Sequence, residues 1–466
     1  MVDAAPPARL ASRMDDRSTD TIVAPATAPG QAAIAIIRLS GSRAHAVFQH
    51  LFRAHRADGR PWRSHQLVHG VVVSVTGETL DDALGVVMHG PRTYTGEDTA
   101  EFQVHGSPAV VSTVLEACVA AGARLAQPGE FTRRAVMNGR LDLARAEAVA
   151  DLIAAQTAAS RRAALRQLTG QISSEVNALR SQLLDIAAHI EAALDFPDEA
   201  IPAAETATWL DTLQRVSSTC QRLLASHKRG RVARAGFRVV IVGAPNAGKS
   251  SLFNALVGHE RAIVTPHAGT TRDTIESTVE MSGVAVTFVD TAGLRDAGDP
   301  IEQIGIRRAA GEMSSADLIL HVVDASLPFV PLPYHPPEGV PVIRVLNKSD
   351  LLRDPPDKPC TTADTGVFVS TLTQQGMETL EQMISEHLAC EPATGEILVT
   401  NARHAACLRE AVTSLQHAIE ALTVGLSGDL IMVDLRSALR SLGEITGVEA
   451  DEEILDRIFC TFCLGK

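Results

Sequence analysis

The chain has no apolar run of about 18 residues, the length that carries a helix across a bilayer, so a membrane-spanning helix is not expected. It has no excess of basic charge. Against 55 Asp and Glu stand 42 Lys and Arg, a net charge of −13. That balance argues against a protein that coats nucleic acid with a generally basic surface, though it leaves room for a local patch. Cysteine supplies no framework either. Seven irregularly spaced cysteines, an odd number, fit a reducing compartment better than a disulfide-stapled domain. Cys460 and Cys463 form a CxxC pair, but the second pair that would complete a zinc site is missing. A redox pair and a chance pair are both open readings there. The first residues lack a continuous apolar core and carry Asp3, Asp15 and Asp16, a composition unlike a signal or transit peptide. Residues 1–19 therefore read as a disordered extension and the protein as cytoplasmic.

What is present describes an ordinary soluble globular protein, 45% apolar and 21% charged, whose 466 residues suggest about three domains. Residues 20–137 mix short apolar runs with turn signals and read as an α+β domain. Thr21–Ala24, Ala32–Leu39 and Leu84–Met88 are expected strands; His45–Leu51 and Ala109–Ala120 are expected helices. From 138 to 235 glycine nearly vanishes and Ala, Leu, Glu, Gln and Arg recur at helical spacing. Asp195-Phe196-Pro197-Asp198 interrupts these helices. The basic stretch His227–Arg238 reads as a solvated linker. Residues 236–390 alternate strands and helices, the pattern of a mainly parallel sheet. Helical texture returns over 391–466. The simplest architecture inserts the α/β domain between two halves of one helical domain.

The most informative stretch is GAPNAGKS, Gly243 to Ser250, directly after the β-branched run Val239–Val242. It fits the phosphate-loop pattern, and a helix is expected to start near Ser251. Glycines let backbone N–H groups turn toward phosphate oxygens, and the helix aims its positive end at the same anion. Asn246, Ala247, Gly248, Lys249, Ser250 and Ser251 are thus candidate phosphate contacts, with the Lys249 charge near the β/γ-phosphates and the Ser250 hydroxyl on Mg²⁺. Asn347-Lys348-Ser349-Asp350 follows another apolar run and resembles the NKxD guanine motif of small GTPases. A carboxylate at Asp350 can accept from guanine N1–H and the exocyclic amine; adenine has no such donor pair. Asn347 and Lys348 would tie the loop. Asp290-Thr291-Ala292-Gly293 ends the run Val284–Val289 and resembles DxxG, with Asp290 toward Mg²⁺ and the Gly293 N–H toward the γ-phosphate. Between these motifs, Thr271, with Thr270 as competitor, is the expected second hydroxyl ligand of Mg²⁺.

One residue is missing where it would matter. Ras-like GTPases orient water with a glutamine after DTAG; here Leu294 and Arg295 follow. Two substitutes stand nearby. The Asn246 carboxamide could coordinate a monovalent cation beside the phosphates, or only brace its loop. Glu302 could orient the water, or only sit at a helix start. Glu302, Asn246 and Arg295 are the candidate catalytic residues.

Taken end to end, the chain resembles the MnmE (TrmE) family of tRNA-modification GTPases. The resemblance is carried by Thr21-Ile22-Val23-Ala24, Thr95-Gly96-Glu97-Asp98, Pro128-Gly129-Glu130-Phe131-Thr132, Asn138 to Leu143, Ala146 to Ile153, Asp195 to Glu199, Asp290 to Arg295 and Phe462-Cys463-Leu464-Gly465-Lys466. It implies an N-terminal folate-binding and dimerisation domain, a discontinuous helical bundle and an inserted Ras-like G domain. It implies a K⁺-activated GTPase, homodimeric, working in a heterotetramer with the FAD-binding partner MnmG (GidA). Together they would install an aminomethyl-type group, such as 5-carboxymethylaminomethyl, at wobble U34 of certain tRNAs, with carbon from a methylene-tetrahydrofolate. By resemblance, K⁺ falls on Asn246, Thr265, His267 and Thr270, and Mg²⁺ on Ser250 and Thr271. Glu302 takes the catalytic role, and Arg38, Glu101, Arg140 and Lys466 take the 5-formyl-tetrahydrofolate contacts. Thr265, Pro266, His267, Ala268, Gly269, Thr270 and Thr271 border the nucleotide, as do Ser370, Thr371 and Leu372 in place of the usual Ser-Ala-Lys. That last segment is expected to act through its backbone and to need no particular side chain. The family's GRGG is Gly30-Gln31-Ala32-Ala33 here. Two other readings share parts of this pattern: a ribosome-assembly switch of the Era or Der type, and a folate-dependent transferase with GTP as regulator.

Overall fold

The computed structural model describes residues 20–55, 61–195, 203–259, 261–262, 275–291, 311–328, 336–352, 366–388, 396–463 and 465–466. Two compact units emerge: Met1–Ala150 with Gln167–Cys220 and Cys407–Lys466, and Asp151–Arg166 with Gln221–Ala406.

The first unit contains a seven-stranded sheet. Its strands are β1 Ile22–Pro25, β2 Ala32–Ser40, β3 Phe52–Ala54, β4 Val68–Val73, β5 Thr79–Met88, β6 Thr99–Gly106 and β7 Arg124–Leu125, in the order β3-β4-β5-β6-β2-β1-β7. Neighbours are antiparallel except β1 and β7. Alternation decides the faces. Ile37 and Leu39 on β2, with Ala100, Phe102 and Val104 on β6, are buried in one apolar cluster beneath the helices Ala44–Leu51 and Pro108–Ala120. Phe48 stacks on Phe52 and Phe102 with centroids 5.1 and 4.9 Å away. The intervening residues Arg38 and Glu101 are register partners, so they emerge together on the other face. The expected strands and helices of this region are present. The short edge strand β3 is the least legible of the others, because three residues are too few to show a period.

In the same unit, Gln171–Asp195 packs along Gly428–Thr446. Ile172, Val176, Leu179, Leu183, Ile186 and Ile190 are buried on the first helix, and Ile431, Leu435, Ala438, Leu442 and Ile445 on the second, at steps of three and four. A third contact anchors the chain's last helix, Glu452–Phe459, beside Glu130–Met137. Gly129 adopts φ +70°, and a Cβ there would lie 2.5 Å from the Phe459 carbonyl.

The second unit is built on β8 Phe237–Gly243, β9 Arg261–Ala262, β10 Ile275–Met281, β11 Val284–Asp290, β12 Leu318–Asp324, β13 Val342–Asn347 and β14 Val367–Phe368, in the order β14-β13-β12-β8-β11-β10-β9. β8 is parallel to β11 and β12, and β13 and β14 continue the parallel set. β10 pairs antiparallel with both β11 and β9, so among the described strands of this sheet it alone runs against the others. The stretch before β8 differs from the solvated linker expected. His227–Ala235 is a helix that buries Val232 and Ala233. Its arginines are paired: Arg229 with Glu396, Arg231 with Asp317, and Arg234 with Asp151 at 2.7 Å. Acids distant in sequence neutralise a run that looks purely basic when read alone.

A charged network ties the first unit's sheet to Glu130–Met137. Arg134, 7% exposed, donates to Asp20 at 2.6 Å, to Glu130 at 3.1 Å and to Glu97 at 3.3 Å. Arg124 binds Asp20 and Glu130, each at 2.7 Å. Burial pushes the Glu130 carboxyl up, but hydrogen bonds from Arg124 and the Gln127 amide, with the Arg134 charge, hold it below the ordinary value. Asp20 is depressed in the same way, burial being outweighed by Arg124 and Arg134. Depressed folded-state values mean that the network stabilises above the unfolded carboxylate pKa, about 4, and that this contribution disappears as pH falls through the folded values. Arg134→Met should cost about 3–5 kcal/mol at neutral pH, because it strands buried carboxylates. It should also make the acid-induced loss of stability shallower. Urea unfolding of both proteins at neutral and acidic pH checks this; equal midpoints at neutral pH would show that the network is not needed for stability.

Candidate functional site

Parallel strands bring their carboxyl ends to one edge, and in the second unit the described parts of the phosphate-loop, DxxG and NKxD motifs sit there. Gly243 closes β8, Asp290 closes β11, Asp324 closes β12 and Asn347 closes β13. β8 is also where the strand order reverses, the position at which open α/β sheets form their ligand crevice. The phosphate loop leaves β8 and enters the helix Lys249–His259. This helix begins two residues before the expected start, so Ser250 and Ser251 already lie in its first turn, where N–H groups have no partner within the helix. Two glycines are structurally required. A Cβ on Gly243 would come 2.1 Å from the Val322 carbonyl, and one on Gly248, at φ +95°, would come 2.2 Å from Asn347 Nδ2. Lys249 reaches across its loop and donates to the Gly243 and Ala244 carbonyls at 3.0 and 2.9 Å. Asn246 is exposed at the loop's tip with φ +63°.

The base end is tied to the phosphate end. Asn347, 1% exposed, donates from Nδ2 to the Ala247 carbonyl at 3.0 Å. Lys348 adopts φ +62° and pairs with Asp324 at 2.6 Å. Burial raises the Asp324 carboxyl, but hydrogen bonds from Lys348 and Ser326 outweigh it and leave it below the ordinary value. Asp350 is oriented by Ser370, whose Oγ donates to Oδ1 at 2.6 Å, while the same Oγ accepts from the Thr373 amide at 3.2 Å. The Ser349 amide donates to Val369 O at 3.1 Å, bringing the two loops together. Thr371 follows, and Leu372 is 81% exposed. Sequence reasoning treated 370–372 as a backbone element and missed the Ser370 side chain. It also missed Asp324, although Asp324 ends its apolar strand just as Asp290 does.

Asp290 is fully buried, and the hydroxyl of Thr291 donates to Ile241 O at 2.8 Å, holding the end of β11 against β8. Ser250 and Asp290 are hard oxygen donors, the chemistry Mg²⁺ selects. Thr265, Pro266, His267, Ala268, Gly269, Thr270, Thr271, Ala292, Gly293, Arg295 and Glu302 lie outside the described residues.

The first unit gathers a second constellation. Arg38 Nε donates to Glu101 Oε1 at 2.7 Å. Two cations lie over the Tyr94 ring: the Arg38 guanidinium carbon is 6.0 Å and Lys466 Nζ 5.2 Å from its centroid. Tyr94 Oη is 2.8 Å from Thr132 Oγ1, and burial raises the phenol's pKa despite that contact. Lys466 is shifted down, chiefly by burial and then by the Arg38 charge, with Glu101 opposing. The stem of Arg140 borders Gly96, two residues from Tyr94; a Cβ there would be 3.2 Å from Arg140 Cγ. Gly465, at φ +88°, turns the terminal segment over Pro25, to whose carbonyl a Cβ would come within 2.1 Å. A ring with polar edges and carboxylates suits such a set of aromatic, carboxylate and cation. Tyr94 was the residue missed here, one of only two tyrosines and directly before Thr95-Gly96-Glu97-Asp98.

Removing the hydroxyl in Ser370→Ala should free Asp350 and weaken GDP binding roughly 5- to 10-fold, the scale of one net hydrogen bond. Titration with a fluorescent GDP analogue reads this directly; unchanged affinity would mean that Asp350 is positioned without Ser370.

Both units have counterparts among known proteins. The profile of the MnmE helical domain matches residues 143–463, and that of the GTP-binding protein TrmE N-terminus matches residues 21–140. A tRNA modification GTPase MnmE of Chloroflexus aurantiacus is 46% identical over 459 residues, 96% of this chain and 100% of that protein. Its namesakes in Symbiobacterium thermophilum and Thermus thermophilus are each 43% identical and cover 96% of this chain and 99% of their own lengths. Among solved structures, Aquifex aeolicus Era bound to GDP and AlF4⁻ matches 38% of this chain and 66% of that one at 25% identity, with a TM-score of 0.26 that carries no weight. With both units and nearly the full length matched, the chain belongs to the MnmE family of tRNA modification GTPases.

Proposed function

We propose that this protein is a GTP hydrolase that acts in the modification of wobble U34 in certain tRNAs, together with an FAD-binding MnmG partner and a methylene-tetrahydrofolate. The observation that carries the reading is the shared edge of β8, β11, β12 and β13, where a phosphate loop and a guanine-selective carboxylate are joined by the Asn347–Ala247 hydrogen bond. The Arg38–Glu101–Tyr94–Lys466 cluster supports the folate half, because a ribosome-assembly switch has no use for it.

Within that reading, the Lys249 ammonium and the first-turn amides of its helix neutralise the phosphates, and Asp350 selects guanine. Ser250, Asp290 and Thr271 would hold Mg²⁺. Asn246, with Thr265, His267 and Thr270, would hold K⁺, which supplies positive charge against the charge that develops between β- and γ-phosphates. Glu302 orients the attacking water, with Arg295 beside it. In the first unit Arg38, Glu101, Arg140 and Lys466 bind the folate. The protein works as a cytoplasmic homodimer that assembles with MnmG into a heterotetramer. That no helix among the described residues is long and apolar enough to cross a membrane is consistent with this. The domain division is 20–137 for folate and dimerisation, 236–390 for GTP, and 138–235 with 391–466 for the helical bundle, after an extension at 1–19.

GTP turnover should be faster in K⁺ than in Na⁺ by on the order of tenfold or more, the scale of one preorganised charge at a developing anion. Asn246→Ala should abolish the difference while retaining GDP binding. Equal rates of the unsubstituted protein in the two salts would remove the cation from the mechanism. Mass spectrometry of wobble uridines from a deletion strain should show loss of the C5-aminomethyl-type group, restored by the gene. Wobble uridines left fully modified would overturn the tRNA assignment.

A further inference from the structure

The neck of the β5–β6 connection holds a cluster that neither nucleotide nor folate chemistry uses. His89 directly follows β5, Asp98 directly precedes β6, and His45 stands on the helix Ala44–Leu51. His45 Nδ1 is 3.5 Å from Asp98 Oδ2, His89 Nδ1 is 3.9 Å from Asp98 Oδ1, and one ligand atom from each residue falls within 4.8 Å of the others. The two rings meet edge to face, centroids 4.6 Å apart.

The surrounding hydrogen bonds prepare these atoms for a cation. His45 Nε2 lies 3.1 Å from both the Met88 and the Thr99 carbonyl oxygens. Carbonyls only accept, so Nε2 carries a proton, and Nδ1, on the side of Asp98, is the atom left to ligate a metal ion that displaces any proton there. The Gly90 amide donates to Asp98 Oδ1 at 2.9 Å and steadies the carboxylate. Two imidazole nitrogens and one carboxylate oxygen form a donor set for zinc and its neighbours, with a fourth position left for water. Ligands about 2.1 Å from a tetrahedral ion lie about 3.4 Å from one another; the two imidazoles face different oxygens of Asp98, and the three ligand atoms, all within 4.8 Å, close by about 1.4 Å at most to reach that spacing. A second trio, His55, His69 and Asp82, is wholly exposed, and both oxygens of its carboxylate are already 3.0 Å from one nitrogen of His69.

We propose that His45, His89 and Asp98 bind a divalent transition-metal ion of the Zn²⁺ class. Such an ion clips together the two ends of the loop that carries Tyr94 and Glu97. Without it the same atoms would form no more than an imidazolium–carboxylate pair.

The test uses the untagged full-length chain, stripped with chelator, with Co²⁺ as a spectroscopic probe. One Co²⁺ per chain should bind with the visible bands of a tetrahedral nitrogen–oxygen site, be displaced by Zn²⁺, and raise the melting temperature. His89→Ala, at an exposed side chain, should leave the circular dichroism spectrum unchanged and lower metal affinity roughly 100-fold or more, beyond the loss usual for an outer-shell partner. Asp98→Asn should do the same, and His69→Ala should bind as before. Absence of saturable binding, equal binding by His89→Ala, loss confined to His69→Ala, or thiolate-to-cobalt bands that place the ion on Cys460 and Cys463 would each overturn the assignment.

Discussion

The hydrogen bond from Asn347 to the Ala247 carbonyl sets the distance between the two ends of the nucleotide site. It requires the phosphate loop to pass so close to the end of β13 that no side chain fits at Gly248. It also requires Asn347 to be buried, with β13 held in register against β12. Once that contact exists, Lys348 turns into the left-handed region, pairs with Asp324 at the end of β12, and delivers Asp350 to Ser370. A chain of three short contacts thus converts the spacing of strands in a sheet into the spacing of phosphate and base in a ligand.

The first unit solves a comparable problem with different means. Its sheet sends Arg38 and Glu101 to the same face because they are register partners on adjacent antiparallel strands. The third and fourth members arrive by longer routes. Tyr94 comes from the β5–β6 connection, whose Glu97 is held by Arg134 and Ser40. Lys466 comes from the far end of the chain, held by the apolar contacts of Leu455, Phe459 and Phe462 with Val136 and Leu143 and by the close passage of Gly465 over Pro25. Desolvation of Lys466 and Tyr94 is the cost of that assembly, and it leaves a lysine easier to deprotonate and a phenol harder to ionise than in water.

Much of this was legible in the residues themselves. A phosphate loop, NKxD and DxxG are read from sequence because each serves local geometry: a tight turn, a strand end, a helix start. The apolar periods of β8, β11 and the long helices are likewise local, and so were their approximate limits. The opposite fate of His227–Ala235 shows the boundary of such reading. Its charges suggest solvent, yet Glu396, Asp317 and Asp151 lie far away along the chain, and only folding brings them to it.

By itself the sequence determined the ligand class, the strand-and-helix alternation around it and the family, since those rest on short-range patterns and on residue identity. The tertiary structure alone decided which side chains meet. Ser370 on Asp350, Arg38 and Lys466 over Tyr94, and His45 beside His89 and Asp98 join residues separated by many positions, through register and packing that no local period encodes.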